Sequence, residues 1–291
     1  MEYAAPPSVR RLAAEHGVDL GALAARTGRS LITRDDVEAA RKPPPDDPHD
    51  LPWRADPADH GPVERVALSP LERAALRQMA AANARIPQVT HHDEADLRAV
   101  EALRADLAAE AAARGVRLTA LTLHVAALAR CLREFPRVNA SLDADGTALW
   151  LKRHVHIGVA MDTPRGLVVP VLRDVAGMGL WRIAEALAEL AARARAGRLG
   201  PAEMGGASMT VSNLGSIGGT GFTPIVNPPE VAILGIARSR IAPVWDGAAF
   251  RPVPVAPVSL SHDHRVIDGA TAARFLARHC ALIADPRRLL L

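Results

Sequence analysis

Apolar residues recur at helical spacing in several long segments of the chain. The spacing predicts amphipathic helices over residues 96–114, 119–134, 181–194 and 270–283. Shorter apolar runs, typical of strands, occupy residues 150–161, 167–172, 231–236 and 253–260. This alternation of helices and short strands predicts an α/β (α+β) core in which helices cover a mixed sheet.

The periodic pattern stops between residues 42 and 62, where seven prolines are mixed with Asp, His and Gly. Proline at this density favours an extended, semi-rigid linker. We therefore predict a small helical domain at residues 1–41, a linker at 42–62 and a large domain at 63–291. The small domain carries two helical patterns, and the second follows Thr33 as its N-cap.

Composition excludes several classes of function. The chain has 291 residues, of which 49% are hydrophobic, and this suffices for one sizeable core. Aromatic residues make up 3%, and the net charge of +3 forms no basic stripe, so we do not expect a nucleic-acid partner. Cys131 and Cys280 stand alone in helical segments, which is typical of a reducing compartment. Without a signal-type start, a long apolar run or a metal-ligand cluster, we expect a cytoplasmic protein with no membrane span and no metal.

One hexapeptide near the C-terminus carries the strongest chemical signal. It lies between a predicted strand and a predicted helix and reads His264-Arg265-Val266-Ile267-Asp268-Gly269. An imidazole at the end of a strand can be aimed through one ring nitrogen, and the other is then free to take a proton from a thiol or hydroxyl. By itself, a His followed by an Asp four positions later is common and often marks only a turn.

Further blocks give this hexapeptide a context. They are Pro87-Gln88-Val89-Thr90 and residues 156–171, 209–222 and 224–235. Together the blocks resemble the dihydrolipoyl acyltransferases, the core-forming subunits of 2-oxo acid dehydrogenase complexes, over residues 63–291. The resemblance implies a two-layer, chloramphenicol-acetyltransferase-like fold and an acyltransferase that uses coenzyme A, as acetyl-CoA, as co-substrate. It also implies an active site between threefold-related subunits, so that a homotrimer, or a larger core, is the functional unit.

The resemblance implies roles for three residues. His264 is the general base, Ser212 matches the serine that stabilises the oxyanion, and Asp268 fixes the catalytic turn. From the residues alone, Ser212 could instead cap its own backbone. Asp268 could order the loop, through a hydrogen bond or an arginine pair, or assist His264, and we favour ordering. The residues that bind coenzyme A are unknown from the sequence.

Residues 1–41 resemble the peripheral subunit-binding domain that precedes the core in this family. One position departs from the pattern, because Leu31 stands where the family has an arginine that holds partner enzymes through its charge. Arg10, Arg11 and Arg29 could replace that charge, or the segment could be vestigial. Capture of partner dehydrogenase subunits is therefore in doubt.

No lipoylation hairpin fits the lysine-poor sequence, so we expect no lipoyl group on this chain. Three hypotheses follow, in order of preference. The first is an enzyme that acetylates a hydroxyl of a small-molecule or carrier-bound intermediate, as lipoyl-free relatives do in tetronate natural-product biosynthesis. The second is the core of a 2-oxo acid dehydrogenase complex that acts on lipoyl domains supplied in trans. The third is a non-catalytic scaffold, against which the intact His264, Ser212 and Asp268 argue.

Overall fold

The computed structural model describes residues 3–40, 56–164 and 166–289. The chain divides into two compact units, Met1–Arg65 and Val66–Leu291. Most of the predicted linker at 42–62 lies outside the described residues, and its described part includes one 3₁₀ turn, Pro57–His60. The exact domain boundaries remain predictions.

The small unit is helical, as predicted. Its helices are α1 (Pro7–Glu15), α2 (Leu20–Thr27) and α3 (Arg34–Ala39). Thr33 caps α3 in a capping box with Asp36, which confirms the predicted start of this helix. Helix α2 was not predicted; it begins at the side-chain cap of Asp19 and ends at Gly28, whose φ is 67°.

The large unit contains six described α-helices. They are α4 (Pro70–Arg85), α5 (Arg98–Asp106), α6 (Ala108–Ala113), α7 (Ala120–Glu134), α8 (Leu180–Arg195) and α9 (Gly269–Ala284). Helices α7, α8 and α9 confirm the periodic pattern. The single helix predicted at 96–114 is wrong, because the chain breaks at Leu107 into α5 and α6.

The strands form one large sheet and one small hairpin. They are β1 (Gln88–Asp96), β2 (Ala140–Leu142), β3 (Leu149–Leu151), β4 (Ile157–Ala160), β5 (Val171–Leu172), β6 (Met209–Asn213), β7 (Ala232–Ile236), β8 (Arg240–Trp245) and β9 (Phe250–Asp263). The continuous strand predicted at 150–161 is wrong, because β3 and β4 belong to different sheets. Between them, the amide of Asn139 donates to the carbonyls of Lys152 and His154 and so replaces strand pairing there.

The large sheet is mixed, which confirms the predicted architecture. Its order is β1-β9-β7-β6-β4-β5, with β8 paired to the first half of β9. Strands β4, β6 and β7 run parallel to each other, whereas β9 is antiparallel to both β7 and β1. Helices α7, α8 and α9 pack with the sheet in one hydrophobic core.

Helix α4 and strand β1 are among the elements of the large unit that the sequence analysis did not predict. Helix α4 begins with Pro70 after a capping box of Ser69 and Glu72, a local signal that predicts a helix start. Strand β1 is polar because it lies at the edge of the sheet, where alternation of apolar residues is weak. No helix among the described residues is long and apolar enough to span a membrane.

Candidate active site

The turn that carries His264 is held at several points. The backbone N–H of His264 donates to the carbonyl of Pro87 at 3.1 Å, and Arg137 donates to the carbonyl of Val266 at 3.2 Å. Val266 and Ile267 are buried in the core. The imidazole itself is exposed and makes no hydrogen bond within the described part of the chain. The fold therefore presents the ring of His264 to the outside on a rigid backbone.

Asp268 acts on the same turn as a helix cap. Its carboxylate accepts from the N–H of Thr271 at 2.7 Å at the start of α9. This hydrogen bond is the main reason that the pKa of Asp268 lies below its ordinary value. Arg265 does not pair with Asp268, because its guanidinium binds the buried carboxylate of Asp263 at 2.7 Å.

Ser212 lies at the opposite end of the sheet, near the end of β6. It is half-buried, and its strand neighbours in register are Ala160 and Gly235. A Cβ on Gly235 would come within 2.7 Å of the Phe222 ring, so glycine is needed for this ring to pack there. The Ser212 hydroxyl has no hydrogen bond to any described residue, so the backbone cap considered from the sequence is not seen. It is available as a donor to a ligand.

The sheet register separates Ser212 from His264 within one chain. In the sheet register, Ser212 of β6 pairs with Gly235 of β7, and Gly235 pairs with Ser259 of β9. His264 follows Ser259 by five residues. At ~3.3 Å per residue and ~4.8 Å per strand, the two backbones are on the order of 20 Å apart. Neither side chain can cross this distance, so the chain does not bring the two predicted residues together by itself.

Two buried polar residues, His262 and Glu230, lie near the His264 turn. His262 is fully buried, its ring centroid is 5.6 Å from that of His264, and burial lowers its pKa. Glu230 is also buried; burial raises its pKa to about 7, although Thr210 donates to its carboxylate at 3.0 Å. Their burial is not visible in the sequence, because the strands that surround them come from distant parts of the chain.

A cavity of about 510 Å³ lies beside Ser212. Ala160 and Asn213 line it next to Ser212, and Arg117 and Arg195 place two cations at its wall. These features could hold a phosphate-bearing co-substrate such as coenzyme A. Within the described ranges, no group of three or more His, Cys, Asp or Glu could hold a metal ion.

Comparison with known proteins decides the family. Residues 60–291 match the family model of the 2-oxoacid dehydrogenases acyltransferase (catalytic domain). The chain belongs to this family. The predicted resemblance is thereby confirmed, and residues 4–38 match a second model, the e3 binding domain.

Two curated relatives are similar along nearly the whole chain. Both are the dihydrolipoyllysine-residue acetyltransferase component of a pyruvate dehydrogenase complex. The protein from Azotobacter vinelandii is 44% identical over 99% of this chain and 47% of its own length. The protein from Pseudomonas aeruginosa is 43% identical over 99% of this chain and 55% of its own length. The chain thus spans about half the length of these acyltransferase relatives.

Solved structures of acyltransferase cores share the fold. The dihydrolipoamide acetyltransferase of Azotobacter vinelandii superposes with a TM-score of 0.80 at 47% identity, covering 81% of this chain and 98% of that one. The cubic core of a pyruvate dehydrogenase multienzyme complex gives a TM-score of 0.80 at 48% identity with the same coverage. These relatives give no support to the first hypothesis from the sequence, acetylation of a natural-product hydroxyl.

Proposed function

We propose that this chain is the acyltransferase core of a 2-oxo acid dehydrogenase complex and moves an acetyl group between coenzyme A and a dihydrolipoyl thiol. The observation that carries this proposal is the free imidazole of His264 on a rigidly held turn, in a chain of this family. The acceptor in this proposal is a thiol, as in the second hypothesis from the sequence. It replaces the hydroxyl acceptor of the first hypothesis.

The spacing of the three candidate residues supports their roles. Crystallographic and enzymatic work on the Azotobacter vinelandii enzyme addresses a serine, a histidine and an asparagine in its catalytic mechanism, and these stand 52 and 4 residues apart. Ser212, His264 and Asp268 have the same two spacings. By this spacing, Asp268 stands where the Azotobacter vinelandii enzyme has an asparagine. The carboxylate of Asp and the amide of Asn both offer an oxygen that can cap a helix.

The chemistry needs a base and an oxyanion donor. His264 takes the proton of the attacking thiol, and the thiolate adds to the carbonyl carbon of the acetyl thioester. The Ser212 hydroxyl donates to the oxyanion that forms. When the intermediate collapses, the carbon–sulfur bond to the leaving thiolate breaks, and this thiolate recovers the proton from His264. No covalent bond to the enzyme is formed.

Because one chain holds Ser212 and His264 on the order of 20 Å apart, a complete site requires two copies. We infer that His264 of one subunit faces Ser212 of the next in a cyclic homotrimer. The exposed His264 ring and the unpaired Ser212 hydroxyl fit such an interface. Similarity to a cubic core further supports assembly of trimers into a larger particle.

The chain itself offers no lysine suited to lipoylation among the described residues. The sequence contains two lysines, Lys42 and Lys152, and the first lies outside the described residues. Lys152 is half-buried and donates to the carbonyl of Ala207 at 3.0 Å. We therefore propose that the lipoyl group reaches the site from outside the region described.

The acceptor is tested by steady-state kinetics with acetyl-CoA. We expect kcat/KM for dihydrolipoamide, and still more for a reduced lipoyl domain, to exceed that for small hydroxyl acceptors by orders of magnitude. His264→Ala is the matched control for uncatalysed transfer between thiols. A hydroxyl acceptor that outcompetes dihydrolipoamide would return the function to natural-product acetylation.

We also propose that the small unit binds a partner dehydrogenase, because residues 4–38 match an e3 binding domain. Leu31 is an exposed apolar residue where the family pattern has an arginine, and Arg29 is already paired with Asp36 at 2.6 Å. Calorimetry with the full chain and a lipoamide dehydrogenase should therefore show binding that Leu31→Arg tightens by roughly tenfold. If neither the natural chain nor Leu31→Arg gives a heat of binding with the lipoamide dehydrogenase, the small unit is vestigial.

A further inference from the structure

Two histidines, His124 of α7 and His279 of α9, meet between helices whose apolar residues belong to the core of the large unit. Their relative exposures are 2% and 0%. The Nδ1 atom of His124 lies 2.9 Å from the Nε2 atom of His279, and the rings are stacked with centroids 5.2 Å apart. One hydrogen bond between two imidazoles therefore joins α7 to α9 inside the core.

The outer ring nitrogens of this histidine pair, Nε2 of His124 and Nδ1 of His279, are buried without a hydrogen-bond partner among the described residues. A neutral imidazole carries one N–H, so a single N–H lies between the two rings. Whichever ring supplies it, one outer nitrogen keeps an unbonded N–H and the other an unbonded lone pair. Two leucines would fill this space without that cost. Packing alone does not account for the pair.

The surroundings offer no counter-charge to a proton on the pair. Burial lowers the pKa of His124 to about 4, and burial together with His124 lowers the pKa of His279. The titratable groups on the other elements packed against α7 and α9 act on neither ring; they are Glu101 and Arg104 of α5, Arg182 and Glu185 of α8, Asp93 of β1, His262 of β9, and Arg287 and Arg288 of the 3₁₀ turn Pro286–Leu289.

The titratable groups on α7 and α9 themselves have other partners or stay neutral. Glu134 of α7 and Arg278 of α9 pair with each other at 2.8 Å. Burial raises the pKa of the Cys131 and Cys280 thiols, so both remain protonated and uncharged. A proton on the pair would thus be an isolated buried charge.

Helix α9 supports the turn that presents His264. It begins at Gly269, directly after the cap of Asp268, and the His264 turn precedes this cap. It also packs against β1, and Pro87, the residue before β1, accepts the backbone N–H of His264. Displacement of α9 would therefore loosen the His264 turn from both sides.

We propose that the histidine pair is an acid-sensitive switch: under acidic conditions it takes up protons as α9 separates from α7, and the His264 turn then loses its support. A histidine in water has a pKa of 6.5, whereas that of buried His124 is about 4. As pH falls through this window, the separated rings bind protons that the packed rings do not, so the packed state loses stability. Above the window both states are neutral, and the helices stay packed. The switch is a property of the fold and does not depend on the acyl acceptor.

Hydrogen exchange of the full chain between pH 7 and pH 5, corrected for the intrinsic effect of pH on exchange, measures the opening of α7 and α9. In the natural chain, the opening constant should rise by up to ~10-fold per pH unit for each histidine below its free pKa. In His124→Leu/His279→Leu the rise should be smaller by roughly tenfold or more. His262 and Glu230 titrate in both chains, so their effects cancel in this comparison. His91→Leu removes an exposed histidine from β1 and, as the matched control, should behave like the natural chain.

A second readout connects the pair to the candidate active site. Protonation of His264 lowers kcat for acetyl transfer in both chains, so the ratio of their kcat values isolates the effect of the pair. We expect the ratio of the double-leucine variant to the natural chain to rise several-fold from pH 7 to pH 5. If no chain transfers acetyl groups, the proposed function fails, whereas hydrogen exchange still tests the switch.

The outcomes are distinct. An equal response of α7 and α9 to pH in the natural chain and in the folded double-leucine variant would overturn the switch. Opening of α9 in acid with a constant kcat ratio would overturn its coupling to His264. Should the leucine pair prevent folding, His124→Gln/His279→Gln keeps polar side chains between the helices that take no proton in this range. A response of that variant equal to that of the natural chain would refute the switch as well.

Discussion

The two ends of the central sheet differ in how they hold their candidate catalytic groups. At one end, His264 follows a 14-residue strand, and Pro87, Arg137 and Asp268 fix the turn around it. At the other end, Ser212 precedes a glycine-rich loop and keeps its hydroxyl without a partner among the described residues. A base must be aimed before the substrate arrives, whereas an oxyanion donor must be free to bond to the substrate. The contrast is what an acyl-transfer site split between two subunits requires.

Removal of the base should have the largest effect. We expect His264→Ala to lower kcat for acetyl transfer to dihydrolipoamide by ~10²-fold to 10⁴-fold, because a positioned base contributes about this much. Circular dichroism and sedimentation should show an unchanged fold and assembly, since the ring is exposed. His60→Ala, in the small unit, is the control and should be neutral. Turnover near normal in a folded His264→Ala would remove His264 from the mechanism.

Removal of the hydroxyl at the other end should have a smaller effect. Ser212→Ala should lower kcat by ~10²-fold with little change in KM, because the bond to the oxyanion exists mainly in the transition state. Ser8→Ala serves as a serine control outside the large unit. An effect confined to KM would instead make Ser212 a residue that binds the ground state. The end of the sheet that carries Ser212 would then supply no oxyanion donor.

Glu230 tests the packing beneath the His264 end, where the carbonyl of its neighbour Val231 accepts from the N–H of Asp263. Burial raises the pKa of Glu230 from 4.5 to about 7. Between these values the folded protein holds a proton that the unfolded chain has lost, so the free energy of unfolding falls as pH rises through this window. Glu230→Gln avoids this loss.

We therefore expect Glu230→Gln to be more stable than the natural chain by ~1 to 3 kcal/mol at pH 8, with a much smaller difference at pH 4.5. Denaturant unfolding at the two pH values measures this change. Glu189→Gln, on the exposed face of α8, controls for loss of a surface charge. An equal shift at both pH values would show that ionisation of Glu230 is not its cause.

The smallest effect should come from the helix cap. Asp268→Ala removes the acceptor for the N–H of Thr271 and should lower the free energy of unfolding by ~1 kcal/mol, with a few-fold loss in kcat as the turn loosens. Asp268→Asn keeps the cap and should retain nearly full stability and activity. A large loss of kcat in Asp268→Asn would show that the negative charge, rather than the cap, supports His264.

The sequence predicted those parts of the molecule whose structure depends on residues close together in the chain. The start of α3 followed from Thr33, and the place of α9 followed from the periodic apolar residues after Asp268. The His264 turn could be identified because strand, turn and helix are contiguous there. For the same reason, the presence of Asp268 four residues after His264 indicated that both residues belong to one turn of the site.

Long-range pairing determined the rest, and the sequence could not predict it. The separation of Ser212 from His264 depends on the register of β6, β7 and β9, which are far apart in the chain. The role of Arg137 depends on the approach of the α7–β2 connection to Val266. His262 and Glu230 are visible as unusual only once the surrounding strands and loops have buried them.

The central claim is that one active site takes His264 from one subunit and Ser212 from the next. Its most direct test is co-expression of His264→Ala and Ser212→Ala chains with different tags, followed by purification of mixed assemblies and assay of acetyl transfer. Each variant alone should be nearly inactive. In a cyclic trimer that contains both chains, one of the three sites combines an intact histidine with an intact serine, so roughly one third of normal activity should return in the purified mixed trimers. Mixed trimers no more active than the separate variants would contradict the shared site and place both groups' function within a single chain.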